Sequence, residues 1–261
     1  MLRSLPAFSI LNGLSIVRKI SVRYDVAAVA RRRAIHALAS AATTVIARLL
    51  LIILFGLTAS AAEPAGELPR VLLIGDSISI GYTKPVQELL RTEARVERIR
   101  GNAQHTGTGL QKLDAWLGDR PWDVIHFNWG LWDLCYRNPE SKTQGHRDKV
   151  HGKITYTLPE YEKNLRELVR RLKATKAKLI WAATTPVPEG EAGRIQGDAA
   201  KYNEAAARIM QDNDIPINDL HAHMLPRMKE FQTKPDNVHF TAEGSRFLAE
   251  KVADSIREAL K

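Results

Sequence analysis

Cysteine is nearly absent: Cys135 is the one cysteine among 261 residues. An internal disulfide is therefore excluded, so export of this chain would not rely on one. Cys135 lies far from the N-terminal apolar run and supplies no lipid-attachment site there. Between Leu134 and Tyr136 it reads as a small buried hydrophobe rather than a nucleophile. No apolar run is long enough to cross a bilayer comfortably, which takes about 20 residues. Internal repeats, low-complexity tracts and an extended apolar lid segment are missing too. The glycine-rich stretch 101–109 has neither a Gly-Lys-Ser/Thr ending nor a Gly-x-Gly-x-x-Gly fingerprint, which argues against nucleotide binding. Excess positive charge is scarce over most of the chain despite a formal net charge of +9: residues 1–62 hold eight Lys/Arg against one acid, Asp25, whereas residues 63–261 hold 30 basic and 28 acidic residues. That near balance removes the main support for a nucleic-acid partner.

What is present is an ordinary globular composition, 44% hydrophobic and 26% charged, which excludes a disordered chain. Residues 49–62 form an apolar stretch ending in Ala59, Ser60, Ala61 and Ala62, and read as a signal-peptide core cleaved after Ala61 or Ala62. The basic region before it is far longer than usual, so a retained single anchor is the competing reading. The chain divides into a leader (1–62), a linker (63–69) and one folded domain (70–261). Export to the periplasm or medium is expected, with membrane contact only through an uncleaved leader.

Within 70–261, short apolar runs at 70–77, 94–100, 122–130, 177–186 and 215–220 alternate with amphipathic stretches and predict five strands. Tyr161, Leu165, Leu168, Val169 and Leu172 fall at helical spacing behind a Thr157/Glu160 capping box, and Leu248, Val252, Ile256 and Leu260 stripe a last helix. Alternating β and α predicts an α/β fold, a three-layer α/β/α domain with a five-stranded parallel sheet. The long polar, basic connection 134–157 after the third strand reads either as a substrate-contact lid or as a solvated loop.

In such a sheet ligands bind beyond the carboxyl ends of the strands, so the residues just past each strand carry the information. Gly75-Asp76-Ser77 follows the first. A Ser there sits at a helix N-terminus, where the partial positive charge favours a developing oxyanion. Near the other end of the chain, Asp236 and His239 stand as Asp-x-x-His just before the last helix. His239 is a base for the Ser77 proton, and Asp236 is expected to orient the imidazole. Asp219-Leu220-His221-Ala222-His223 offers His-x-His metal spacing, but no further ligand set accompanies it, and Asp219 reads as a helix cap. Trp129 and Trp132 flank Gly130, with Trp116 and Trp122 nearby, as sugar-stacking faces or core packing.

Over about 70–260 the sequence resembles the SGNH, or GDSL, family of serine esterases and lipases, which implies a flavodoxin-like SGNH hydrolase fold. The resemblance rests on Gly75-Asp76-Ser77 and on Asp236 with His239, and implies a Ser77/His239/Asp236 catalytic set. It also implies oxyanion donors from the Ser77 backbone, from a glycine after the second strand and from an Asn in a Gly-x-Asn-Asp block. Here the middle blocks depart. After the second strand Gly101, Gln104 and Gly107 compete, with Asn102 as a further amide. After the third stand Gly130-Leu131-Trp132-Asp133, with Trp132 at the Asn position and Asn128 two residues before Gly130. Loss of one oxyanion donor costs about 3–4 kcal/mol, so another group replaces it or turnover is slow. The implied activity is cofactor-free, metal-free hydrolysis of a small-molecule or carbohydrate ester, leaning to small-acyl or O-acetyl groups. The rival is a weakly active or non-catalytic carbohydrate-binding protein on the same scaffold.

Overall fold

The apolar runs pair into one sheet because their side chains are buried on both faces, as parallel strands require. In the computed structural model, which describes residues 67–261, β1 (Arg70–Ile74), β2 (Arg95–Arg98), β3 (Val124–Phe127), β6 (Lys178–Ala182) and β7 (Ile217–Asn218) form a sheet of order β2-β1-β3-β6-β7. All four pairings are parallel, with Leu72 beside Ile125 and Ile125 beside Leu179. Val71 to Ile74 and Val124 to Phe127 are buried without a break, whereas the edge strand β2 carries Arg95, Glu97 and Arg98. A charged edge discourages further strand addition. The expected leader and its anchor alternative lie outside the described residues.

Helices α1 (Ser77–Leu89), α2 (Thr106–Leu117), α3 (Leu158–Ala174), α4 (Asp198–Gln211) and α7 (Ala242–Leu260) flank the sheet, with α1 against α7 and α3 between α2 and α4. Short helices α5 (Leu220–Met224) and α6 (Met228–Phe231) lead into α7. The capping box forms as read: Thr157 N–H donates to Glu160 Oε2 at 2.8 Å, and Tyr161, Leu165, Leu168, Val169 and Leu172 are all buried. The strands are shorter than the apolar runs. Past Ile74, Phe127 and Ala182 the chain leaves the sheet to cap helices and form loops, and those freed ends carry the site. Between β3 and α3 the chain makes a separate excursion, the antiparallel hairpin β4 (Tyr136–Arg137) and β5 (Lys153–Ile154) with a 3-10 turn at Gln144–His146. Cys135, at its root, is fully buried, and burial pushes its thiol pKa up.

Candidate active site

Asp76 leaves β1 as the N-cap of α1, its Oδ1 accepting the Ile78 N–H at 2.9 Å. Ser77 is thereby the first helical residue, and its own N–H has no helix carbonyl to bind. Arg98, from the edge strand, ties two strand ends together. Its Nη2 donates to the Gly75 carbonyl at 3.0 Å, its Nη1 to the Gly101 carbonyl at 2.7 Å, and its Nε to Ser79 Oγ at 3.0 Å.

His239 reaches this corner from the loop before α7. Its Nε2 lies 2.8 Å from Ser77 Oγ across 162 positions of sequence. The other ring nitrogen, Nδ1, lies 2.7 Å from Asn237 Oδ1, which also accepts the His239 backbone N–H at 3.0 Å. Because a backbone N–H only donates, the shared Asn237 atom is the oxygen. Nδ1 therefore carries the ring proton and Nε2 is left to accept the Ser77 hydroxyl proton. This corrects the reading of Asp236: its side chain is exposed and makes no hydrogen bond among the described residues. Asn237 takes the position because an Asx-type turn returns its side chain to the backbone two residues on, directly beneath the imidazole. Burial holds the His239 pKa below its usual value; Asp76 pulls it up, while Arg194 and Arg147 push it further down.

Ser77 and His239 open into a cleft of about 340 Å³. Of the oxyanion candidates, Trp132 and Asn102 line this cleft, whereas Gly101, Gln104, Gly107 and Asn128 do not. Gln104 Oε1 accepts from Thr108 Oγ1 at 3.1 Å, and Gly101 contributes its carbonyl to Arg98. Gly107 is packed beneath Tyr156, whose hydroxyl would overlap any added Cβ. Asn128 Nδ2 bonds the Ala182 carbonyl at 2.7 Å, tying β3 to β6. Asn102 Oδ1 accepts the Gln104 N–H at 2.8 Å, a turn that holds the amide in place at the cleft. In the third block, Gly130 lies against Thr184 Oγ1, and the buried Asp133 Oδ1 accepts both the N–H and the hydroxyl of Thr106, at 2.8 and 2.5 Å. Asp133 thus fastens the end of β3 to the start of α2, away from the cleft lining.

The 134–157 excursion forms part of the cleft wall, contributing Arg137, Gln144, Gly145 and Arg147; Arg194, from the connection after β6, completes a trio of guanidiniums. Sequence reading passed over these arginines and Asn237. Of the tryptophans, only Trp132 lines the cleft; Trp129 is buried, Trp122 nearly so with Arg70 stacked on it, and Trp116 packs against the core. Asp219 Oδ1 caps α5 by accepting the Ala222 N–H at 2.8 Å, and His223 stacks on Phe247 with Nε2 3.2 Å from the Phe247 carbonyl.

Solved structures share the fold. A lipase/acylhydrolase from Enterococcus faecalis superposes with a TM-score of 0.60 at 19% identity, covering 73% of this chain and 96% of its own. The acetyl xylan esterase AlAXEase gives 0.57 at 21% identity, covering 72% of this chain and 99% of its own. An acetylxylan esterase from Geobacillus stearothermophilus gives 0.57 at 16% identity, covering 73% and 95% respectively. No curated protein matches the chain. The model of the GDSL-like lipase/acylhydrolase family matches residues 73–247, from β1 through the Ser77 corner and His239 into α7. The chain is a member of that family and a carboxylic ester hydrolase.

Proposed function

We propose that this protein cleaves a small-acyl ester, with O-acetyl groups on a carbohydrate as the favoured class, by serine acyl transfer. Ser77 Oγ attacks the ester carbonyl carbon as His239 Nε2 takes the hydroxyl proton. The proton then passes to the departing alcohol, leaving an acyl-Ser77 ester. Water attacks that ester with His239 again as base, releasing the acid and restoring Ser77. Asn237 Oδ1 holds the imidazole in the required tautomer, taking the role expected of Asp236. The Ser77 N–H and the Asn102 amide are the oxyanion donors, so Asn102 substitutes for the block-three Asn that Trp132 replaces. The 2.8 Å contact between Ser77 and His239 carries the reading. The acetylxylan esterase names among the fold relatives favour an acetylated saccharide, and the N-terminal apolar stretch favours export.

Hydrolysis of 4-nitrophenyl acetate and labelling by a fluorophosphonate test this directly. Wild type is expected to turn over the ester and to be labelled at Ser77. Ser77→Ala abolishes both, and His239→Ala lowers kcat by at least about a hundredfold. Hydrolysis that survives Ser77→Ala overturns the proposal.

A further inference from the structure

The Ser77 cleft carries more positive charge than ester hydrolysis requires. Arg137, Arg147 and Arg194 all line it. Their one carboxylate partner is Glu191, fully buried, whose Oε1 accepts from both Arg147 Nη1 and Arg194 Nη1, the latter at 2.9 Å. Glu191 Oε2 is taken by the Gly193 N–H at 2.7 Å. One negative charge therefore serves two guanidiniums and has no oxygen left over. Arg137 pairs with no carboxylate among the described residues: its guanidinium lies 4.4 Å over the Trp132 ring and donates Nη1 to the Gly145 carbonyl. Asp148, an acid on the same excursion, bonds the Val150 and His151 N–H groups and Asn138 Nδ2 instead. Asp76 also lines the cleft, its buried carboxyl interacting with Arg194 first and then with Arg98 behind the nucleophile. The three cleft guanidiniums thus face two carboxylates, Glu191 and Asp76, leaving an excess of about one positive charge, and Arg137 Nε and Nη2, which bond nothing among the described residues, are donors suited to a carboxylate, sulfate or phosphate. Beyond the effect of burial, these charges are felt at the reacting centre: Arg194 and Arg147 push the His239 pKa down, while Asp76 and Glu191 pull it up. A neutral acetyl sugar offers these groups hydroxyl and carbonyl acceptors but no charge to balance the excess, which an anionic group would supply through charge-assisted hydrogen bonds.

We propose that the substrate is an acyl ester bearing an anionic group, which Arg137, Arg147 and Arg194 hold while Ser77 attacks the ester. The proposal rests on the serine-esterase reading and narrows its substrate class. The anion sits either on the alcohol, as in an acetylated uronate or sulfated sugar, or on the acyl chain, as in a dicarboxylic half-ester.

Paired substrates separate these sources. In the alcohol arm, acetate release is compared for mono-O-acetyl methyl glucuronoside and mono-O-acetyl methyl glucoside. In the acyl arm, mono-4-nitrophenyl adipate is compared with 4-nitrophenyl hexanoate. The expected result is a kcat/KM for the anionic member at least about tenfold above its neutral partner in one arm, carried mainly by KM and shrinking as NaCl is raised. Arg137→Gln is expected to reduce that ratio toward unity; the wild-type ratio and its salt dependence stand even if the variant folds poorly. Ser77-dependent hydrolysis of 4-nitrophenyl acetate with no anionic preference in either arm overturns this proposal and leaves the esterase reading intact. Absence of Ser77-dependent turnover of every ester removes both.

Discussion

In the proposed mechanism His239 works beside a neutral partner, Asn237. A carboxylate at that position would favour the imidazolium and raise the ring pKa; the Asn237 carboxamide fixes the tautomer without adding charge. Burial then dominates, holding the ring below its usual value of 6.5. As His239 must be unprotonated to act as base, kcat/KM for a neutral ester is expected to rise with pH through an acid limb centred below pH 6.5 and to be flat at neutrality. Asn237→Asp introduces a negative charge 2.7 Å from the ring and is expected to move that limb to higher pH. A limb that stays in place shows that Asn237 does not face the titrating group. Asn237→Ala removes the acceptor of both the ring proton and the His239 N–H, and is expected to lower kcat/KM by at least about tenfold, against less than about threefold for Asp236→Ala. The reverse order would return the orienting role to Asp236. The meeting of Ser77 with His239 was legible in the sequence because a strand-end Gly-Asp-Ser and a pre-helix Asp-x-x-His occur together, although neither is decisive alone. The choice between neighbouring Asp236 and Asn237 was not, since it depends on which side chain the turn folds under the ring.

Among the elements, the helices with clear chemical signals were legible: the capping box of α3 and its stripe formed where spacing placed them. The 134–157 excursion was visible only as a polar connection. Its contribution to the cleft depends on β4 docking against residues 190–194, with Tyr136 N–H donating to the Gly193 carbonyl at 2.7 Å and Lys149 N–H to the Ala192 carbonyl at 2.9 Å. No local pattern announces that Arg137, Arg147 and Arg194 will share one cavity, because the contact joins two separate connections. Gly193 is the tight point of this docking. A Cβ there would lie 2.7 Å from Arg147 Cβ and 3.0 Å from both Cys135 Sγ and the Tyr136 carbonyl oxygen. Gly193→Ala is expected to overpack the joint, lowering Tm by on the order of 5 °C. It also displaces Arg147, so KM for the preferred substrate rises more than kcat falls. Unchanged Tm and KM would mean that the excursion is held elsewhere.

At the scale of the whole molecule, the sheet buries ionisable groups as well as apolar ones, and two of them set opposing dependences on pH. Burial drives the pKa of His126, in β3, down to about 3, and that of Asp133, just past the same strand, up to about 7. In the unfolded chain these groups titrate near 6.5 and 3.8. Between pH 4 and 6.5 the unfolded chain therefore binds a proton at His126 that the native state refuses. Over the same interval the native state keeps a proton at Asp133 that the unfolded chain has lost. The first makes stability rise with pH and the second makes it fall, so over this interval their slopes offset one another. Asp133→Asn retains an oxygen for the two Thr106 donors and places the amide nitrogen where Oδ2 has no partner, while removing the titration. Its Tm relative to wild type is expected to climb from about pH 4 to pH 7, by at most about 1.4 kcal/mol of stability per pH unit, and to level off above. With the Asp133 contribution gone, the His126 slope emerges as a gain in the variant's stability from pH 4 to 6.5, which His126→Leu in the same background is expected to remove. Thermal melts of the three proteins across pH 4–8 decide the matter: a wild-type-to-variant gap that does not change with pH would mean that the Asp133 carboxyl titrates in the native protein as it does in the unfolded chain.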